Sequence, residues 1–212
     1  MTRPRCLVVV TGTDTEVGKT WVSAALACTL RADELRVAAR KPAQSFAPGD
    51  QSTDADVLGE ATGEAAEVVC LRHRWYEVPM APPMAADALG RPAFTITDLT
   101  RELTWPDGVD VGIIETAGGV RSPLASGGDA IDLVDTLRPD HVVLVADAGL
   151  GTINAVRLAH PVLSRFAPVT VFLNRYDADD DLHERNRAWI VENDRTAVVT
   201  TIDGLATVVR DD

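Results

Sequence analysis

Leu7-Val8-Val9-Val10-Thr11-Gly12-Thr13-Asp14-Thr15-Glu16-Val17-Gly18-Lys19-Thr20 is the stretch that decides how this chain folds. Its first five residues are aliphatic or β-branched, the composition of a strand buried on both faces of a parallel sheet. A polar turn bounded by glycines follows. After Lys19-Thr20 the chain becomes a helix-forming Ala/Leu run. Strand, glycine-bounded turn, Gly-Lys-Thr and helix, in that order, form a phosphate-binding P-loop. Gly18 lets the backbone approach closely, successive amides point at phosphate oxygens, Lys19 reaches the β- and γ-phosphates, and the Thr20 hydroxyl ligates Mg²⁺ at a helix N-terminus. Lys19 is therefore expected to face solvent, with phosphate as its partner. Five residues rather than four separate Gly12 from Gly18, so Thr13 stands where the first glycine of the usual register falls.

Outward from this loop, short Val- and Ile-rich runs alternate with segments of helical length, the α/β signature. The strands read as Leu7–Thr11, Val37–Arg40, Val111–Glu115, Val142–Ala146, Val169–Leu173 and Ala197–Thr201. The helices read as Lys19–Arg31, Asp54–Thr62, Ala85–Leu89, Ile96–Leu103, Ala130–Leu137, Ile153–Arg165 and Leu182–Val191. The expected fold is a P-loop NTPase-like, doubly wound, mainly parallel sheet with helices on both faces, in one domain over residues 1–212. Two polar or proline-bearing loops, Pro42–Thr53 and Arg72–Pro83, are where a ligand is expected, because open α/β sheets bind at strand carboxyl ends.

Composition excludes several classes. Of 212 residues 46% are hydrophobic and 25% charged, which describes a chain with a core rather than a disordered one. The longest apolar runs fall well short of the roughly 20 residues of a membrane span, and the N-terminus lacks a signal-peptide pattern, so no membrane partner and a cytoplasmic location are expected. A net charge of −12 argues against a nucleic-acid partner. The three cysteines, Cys6, Cys28 and Cys70, read as core residues, and the four histidines have no spacing that makes a metal site.

A P-loop enzyme needs further acids for its metal, and these arrive at the ends of neighbouring strands. Glu115 ends a strand directly before the Thr116-Ala117-Gly118-Gly119 turn. Asp54 opens a helix after a polar loop, where it is either a ligand or a helix N-terminal acid favoured by the dipole. Lys41 follows a strand and precedes Pro42, either as a cation at the P-loop edge that stabilises transferring charge or as a solvated loop lysine. Position 14 holds Asp where partitioning and carrier ATPases carry a second lysine.

Taken together, these motifs resemble the dethiobiotin synthetase family. Gly-Thr-Asp-Thr-Glu-Val-Gly-Lys-Thr over 12–20 is similar to that family's lengthened P-loop. Lys41-Pro42-Ala43-Gln44-Ser45, Thr53-Asp54-Ala55 and Glu115-Thr116-Ala117-Gly118-Gly119 look like its Lys-Pro-x-x-Ser, Ser-Asp-Ala and Glu-Gly-Ala-Gly-Gly segments. Pro79–Pro82, Leu150-Gly151-Thr152-Ile153-Asn154 and Leu173-Asn174 resemble three further segments, so the likeness runs from Leu7 to Asn174.

The resemblance implies a homodimer acting on 7,8-diaminononanoate, CO₂ or bicarbonate, and Mg-ATP. One amine becomes a carbamate, the carbamate oxygen attacks the γ-phosphorus, and the other amine closes on the mixed anhydride. By position, it implies that Thr13, Asp14, Thr15, Glu16, Val17, Gly18, Lys19, Thr20 and Asn174 hold the nucleotide, and that Thr20, Asp54 and Glu115 hold Mg²⁺. Lys41 would hold the carbamate and γ-phosphate, with Lys19 and Thr15 sharing the catalytic work. Thr15, Ser45 and Gly118 would line the diamine end, and Gly151, Thr152 and Asn154 would receive the substrate carboxylate from the partner subunit. Two departures stand out. Thr116 replaces a glycine and is expected to narrow the site, and the family's late purine-cradling segment is absent, the chain reading Thr200-Thr201-Ile202-Asp203. Other nucleoside triphosphates are accordingly expected to replace ATP with losses of at most about tenfold, the worth of one modest hydrogen bond. A related ligase on a different diamine and a nucleotide-gated dimer module are the competing readings.

Overall fold

The computed structural model describes residues 3–211. Its strands are β1 (Cys6–Gly12), β2 (Val37–Arg40), β3 (Gln44–Ser45), β4 (Trp75–Tyr76), β5 (Val111–Glu115), β6 (His141–Asp147), β7 (Val169–Asn174) and β8 (Ala197–Val199). Six of them form one parallel sheet in the order β2-β5-β1-β6-β7-β8, and β3 pairs with β4 in a small second sheet. The helices are α1 (Lys19–Ala32), α2 (Asp54–Thr62), α3 (Ala66–Val69), α4 (Pro82–Ala88), α5 (Ile96–Glu102), α6 (Ala130–Leu137), α7 (Thr152–Leu163), α8 (Asp181–Asp194) and α9 (Ile202–Asp211). None is long and apolar enough to cross a membrane.

The valine runs are strands because their side chains alternate between two buried layers. Val8, Val10, Val143 and Val145 pack on one face with Leu26 and Leu30 of α1 and Leu205 and Val209 of α9. Leu7, Val9, Val142 and Leu144 pack on the other with Leu133 of α6 and Val156 and Leu163 of α7. Each fully buried leucine contributes about 1.5–3 kcal/mol of transfer free energy.

The register fixes where chemistry is possible. Val10 lies opposite Glu115 and Gly12 opposite Val145, so β1 and β5 deliver the P-loop and Glu115 to one edge. Arg40 lies opposite Ile114, which brings Lys41 to the same edge. Beyond β1 the chain builds first one side of the sheet and later the other, so the P-loop stands at the switch point where open sheets bind ligands.

Three expectations are corrected. The strand read as Ala197–Thr201 ends at Val199, and the following residues form α9, an amphipathic helix the sequence reading missed. The Arg72–Pro83 loop is partly ordered: Arg72–Arg74 is a 3₁₀ turn, β4 follows, and α4 begins with Pro82 at a position that proline favours. Trp75 and Tyr76 of β4 are buried, with Tyr76 stacked on Phe94 at 5.9 Å. Cys28 is exposed, because the buried stripe of α1 runs through Val22, Leu26, Ala27 and Leu30.

Candidate active site

The loop between β1 and α1 is pinned on both sides. Gly18 takes φ 93°, the left-handed region that glycine enters without a steric penalty, and a Cβ there would meet Asn174 Nδ2 at 2.1 Å. Asn174, at the end of β7, donates from Nδ2 to the Val17 carbonyl at 2.9 Å. Arg175 donates to the Glu16 carbonyl at 2.8 Å and pairs with Asp147 at 2.7 Å, which supports Glu16 at its positive φ of 61°. On the other side the Thr13 amide donates to the Val145 carbonyl at 2.9 Å, and the Val120 amide to the Gly12 carbonyl at 3.0 Å. Asp14, Thr15 and Glu16 form the exposed crest, with the Thr15 amide bonded to the Asp14 carboxylate at 2.7 Å.

Lys19 differs from its expected solvent-facing pose. It is buried and donates to the Asp14 carbonyl at 3.0 Å, because an ammonium folded beneath the loop must satisfy its protons there. Burial, reinforced by the charge of Lys41, pushes its pKa down to about 8.

Beside Lys19 lies a cluster of four more groups. Thr20 Oγ1 is 2.9 Å from Asp54 Oδ1 and 2.8 Å from Glu115 Oε1. Lys41 Nζ is 2.6 Å from Asp54 Oδ2 and 2.6 Å from Glu115 Oε1, and donates to the Thr116 carbonyl at 3.3 Å. Lys41 is thus a buried, doubly paired cation rather than a solvated loop lysine. Burial opposes its charge, but Asp54 and Glu115 outweigh burial and hold its pKa above the usual lysine value. Lys41 in turn holds Asp54 below the usual carboxylate range.

The chain positions Asp54 tightly. Thr53 caps α2 in a capping box with Asp56. Gln44, buried on β3, accepts from the Ala55 amide at 2.9 Å and donates to Thr53 Oγ1 at 3.2 Å. The Gln44 amide thus clamps the first turn that carries Asp54.

The donor set fits a hard divalent cation. Glu115 Oε2 is fully buried with no hydrogen-bond partner, and the single proton of Thr20 serves only one of its two carboxylate neighbours at a time. Two carboxylates and a hydroxyl, with no larger protein cage, are what Mg²⁺ uses when it keeps waters and substrate phosphates.

Other predicted residues stand nearby to varying degrees. Ser45 donates to the Met80 carbonyl at 2.5 Å, joining the two loops expected to hold ligand. Gly118 has φ 70°, and Gly119 packs against the P-loop so closely that a Cβ would meet the Thr13 carbonyl at 3.1 Å. Thr116 does not narrow this space: its hydroxyl turns into the core to bond Thr11 at 2.9 Å, and its φ is not positive. The Gly151–Asn154 turn opens α7 with Gly151 at φ 97° and reaches the P-loop through Asp147 and Arg175. Thr152 Oγ1 is buried there without a partner, and Asn154 is exposed. Trp21, Arg175 and Tyr176 were missed, and all three line a cavity of about 490 Å³ running from Gly18 to Thr201. Larger hollows of about 820 and 800 Å³ lie away from the carboxylates, at the opposite end of β1 and beside Arg72–Arg74.

An AAA domain family model matches residues 7–211. An ATP-dependent dethiobiotin synthetase of Rhodococcus jostii is 42% identical over 74% of this chain and 68% of its own. Its counterpart in Anaeromyxobacter dehalogenans is 38% identical over 81% of this chain and 78% of its own. A plasmid partition protein from Borrelia burgdorferi shares the fold, with a TM-score of 0.55 over 99% of this chain and 98% of its own at 10% identity.

Proposed function

The chain belongs to the dethiobiotin synthetase family, a group of ligases that convert ATP to ADP and phosphate in biotin synthesis, and from that premise we propose how its own residues carry the reaction. The loop Thr13–Thr20 holds the triphosphate, through the amides from Asp14 onward and the Lys19 ammonium. Thr20, Asp54 and Glu115 hold Mg²⁺, which when bound neutralises charge on the phosphates. A CO₂-derived carbamate forms on one amine of 7,8-diaminononanoate, and its oxygen attacks the γ-phosphorus as ADP leaves. The second amine then attacks the carbamoyl carbon, expelling phosphate and closing the ureido ring. Lys41 faces the carbamate and γ-phosphate and stabilises the charge that moves between them. Thr15, Ser45 and Gly118 orient the diamine end.

The observation that carries this reading is the position of Lys41, buried between Asp54 and Glu115 and next to Thr20 at the head of the P-loop. A module that only gates dimerisation has no use for a second buried cation there. Asp54→Ala and Glu115→Ala are each expected to raise the Mg²⁺ concentration for half-maximal phosphate release by about ten- to a hundredfold. A titration in which neither variant moves would remove both carboxylates from the metal site.

The homodimer is part of the same proposal. Leu150, just before α7, and Leu158, on it, are 92% and 70% exposed, apolar surface suited to a second copy. The Gly151–Asn154 turn of one subunit, which opens α7 and carries the exposed Asn154, then receives the carboxylate of substrate bound to its partner. Sedimentation is expected to show a dimer at working concentrations; a fully active monomer would contradict it. We also place the enzyme in the cytoplasm.

A further inference from the structure

Four tryptophans are present. Trp75 is buried with its Nε1 bonded to the Cys70 carbonyl, while the rings of Trp105 and Trp189 carry the guanidinium groups of Arg40 and Arg157, each at 4.9 Å. Trp21 is different: it is 57% exposed and has no ring or cation partner among the described residues. It stands on the first turn of α1, beside Thr20, and forms one wall of the 490 Å³ cavity that begins at Gly18. Asn174 and Tyr176 line the same cavity, with Thr200–Ile202 at its far side. That volume lies in the range of small-ligand sites.

A triphosphate cradled by the Thr13–Thr20 loop sends its nucleoside out beside the start of α1, at the mouth of this cavity. Asn174, Arg175, Tyr176, Thr200 and Thr201 also line it, but the Asn174 amide donates to the Val17 carbonyl and the Arg175 guanidinium is held by Asp147 and the Glu16 carbonyl, so two of these groups are already engaged. What the cavity offers instead is a flat indole face, which stacks on any base because every base has a π-face. We propose that Trp21 is the base-stacking residue of the nucleotide site, its ring packing on the base, so that affinity for the nucleoside is high while discrimination among bases is low.

This inference rests on the proposed seat of the triphosphate on the P-loop, and the test separates the two. Calorimetric titrations would use Mg-ATP, Mg-CTP and Mg-tripolyphosphate, the last having no base. The unaltered chain is expected to bind ATP and CTP within about tenfold of each other. Trp21→Ala is expected to weaken both by about 5- to 150-fold, the worth of one stacked base, and to leave tripolyphosphate unchanged. Trp21→Phe keeps a ring face and is expected to restore binding. The exposed position and the helix preference of alanine ensure that the Ala variant folds. Trp21→Ala binding ATP like the unaltered chain, or losing tripolyphosphate equally, would overturn the role of Trp21, and a preference for ATP above about a hundredfold would overturn the low discrimination. Failure of the unaltered chain to bind tripolyphosphate would instead overturn the phosphate seat beneath both.

Discussion

Replacing Lys19 by alanine is expected to lower ATP-dependent phosphate release by about a hundred- to a thousandfold, the cost of removing a charge-stabilising group aimed at the reacting centre. The fold should survive. Lys19 is buried, and burial together with the Lys41 charge already pushes its pKa down to about 8, so its ammonium is held at a cost in the free protein. Its single hydrogen bond is to the Asp14 carbonyl on the exposed crest of the loop, a group that water can satisfy in the variant. Thermal unfolding and phosphate release, measured on the same preparation, check both halves. An unchanged rate from a folded variant would detach the P-loop from phosphate chemistry.

Lys41→Met is expected to behave oppposite in one respect, losing activity and stability together. Lys41 is 2% exposed and meets Glu115, which is fully buried, so its removal leaves an uncompensated carboxylate in the interior. Breaking such a pair costs about 3–5 kcal/mol, or roughly 6–20 °C in melting temperature for a chain of this size. Asp54, being partly exposed, adds less. Adding Glu115→Gln to Lys41→Met removes the orphaned charge and is expected to recover most of the stability without the activity. Differential scanning calorimetry of the two variants checks this, and a Lys41→Met melting temperature equal to that of the unaltered chain would mean that the lysine is not the partner of Glu115 in solution.

Much of the fold was legible because its signals are local. The apolar runs at Leu7–Thr11, Val111–Glu115 and Val169–Leu173 could only be buried strands, and Gly18-Lys19-Thr20 between a strand and a helix has few other readings. α9 left a weaker trace: Ile202, Leu205, Ala206 and Val209 have helical spacing, but Gly204 and the short run beside a predicted strand obscured it. The pairing of β3 with β4 was not legible, since two-residue strands some thirty positions apart are specified only by tertiary packing. The same limit applies in the site. Thr20, Lys41, Asp54 and Glu115 stand in the sequence as separate candidates, Lys41 and Asp54 each with an ordinary alternative. Their mutual distances of 2.6–2.9 Å depend on three strand ends and the Gln44 clamp meeting at one edge. Burial of the two lysines was illegible for the same reason, as was the departure of the Thr116 side chain toward Thr11.

In the proposed reaction this site couples ATP cleavage to ring closure between two amines and CO₂. Phosphate release from Mg-ATP, measured with 7,8-diaminononanoate and bicarbonate together, with each alone and with neither, reads that coupling. Rapid release only when both are present, with one dethiobiotin formed per phosphate, is the expected result; release that proceeds at the same rate without the diamine or without bicarbonate would contradict it.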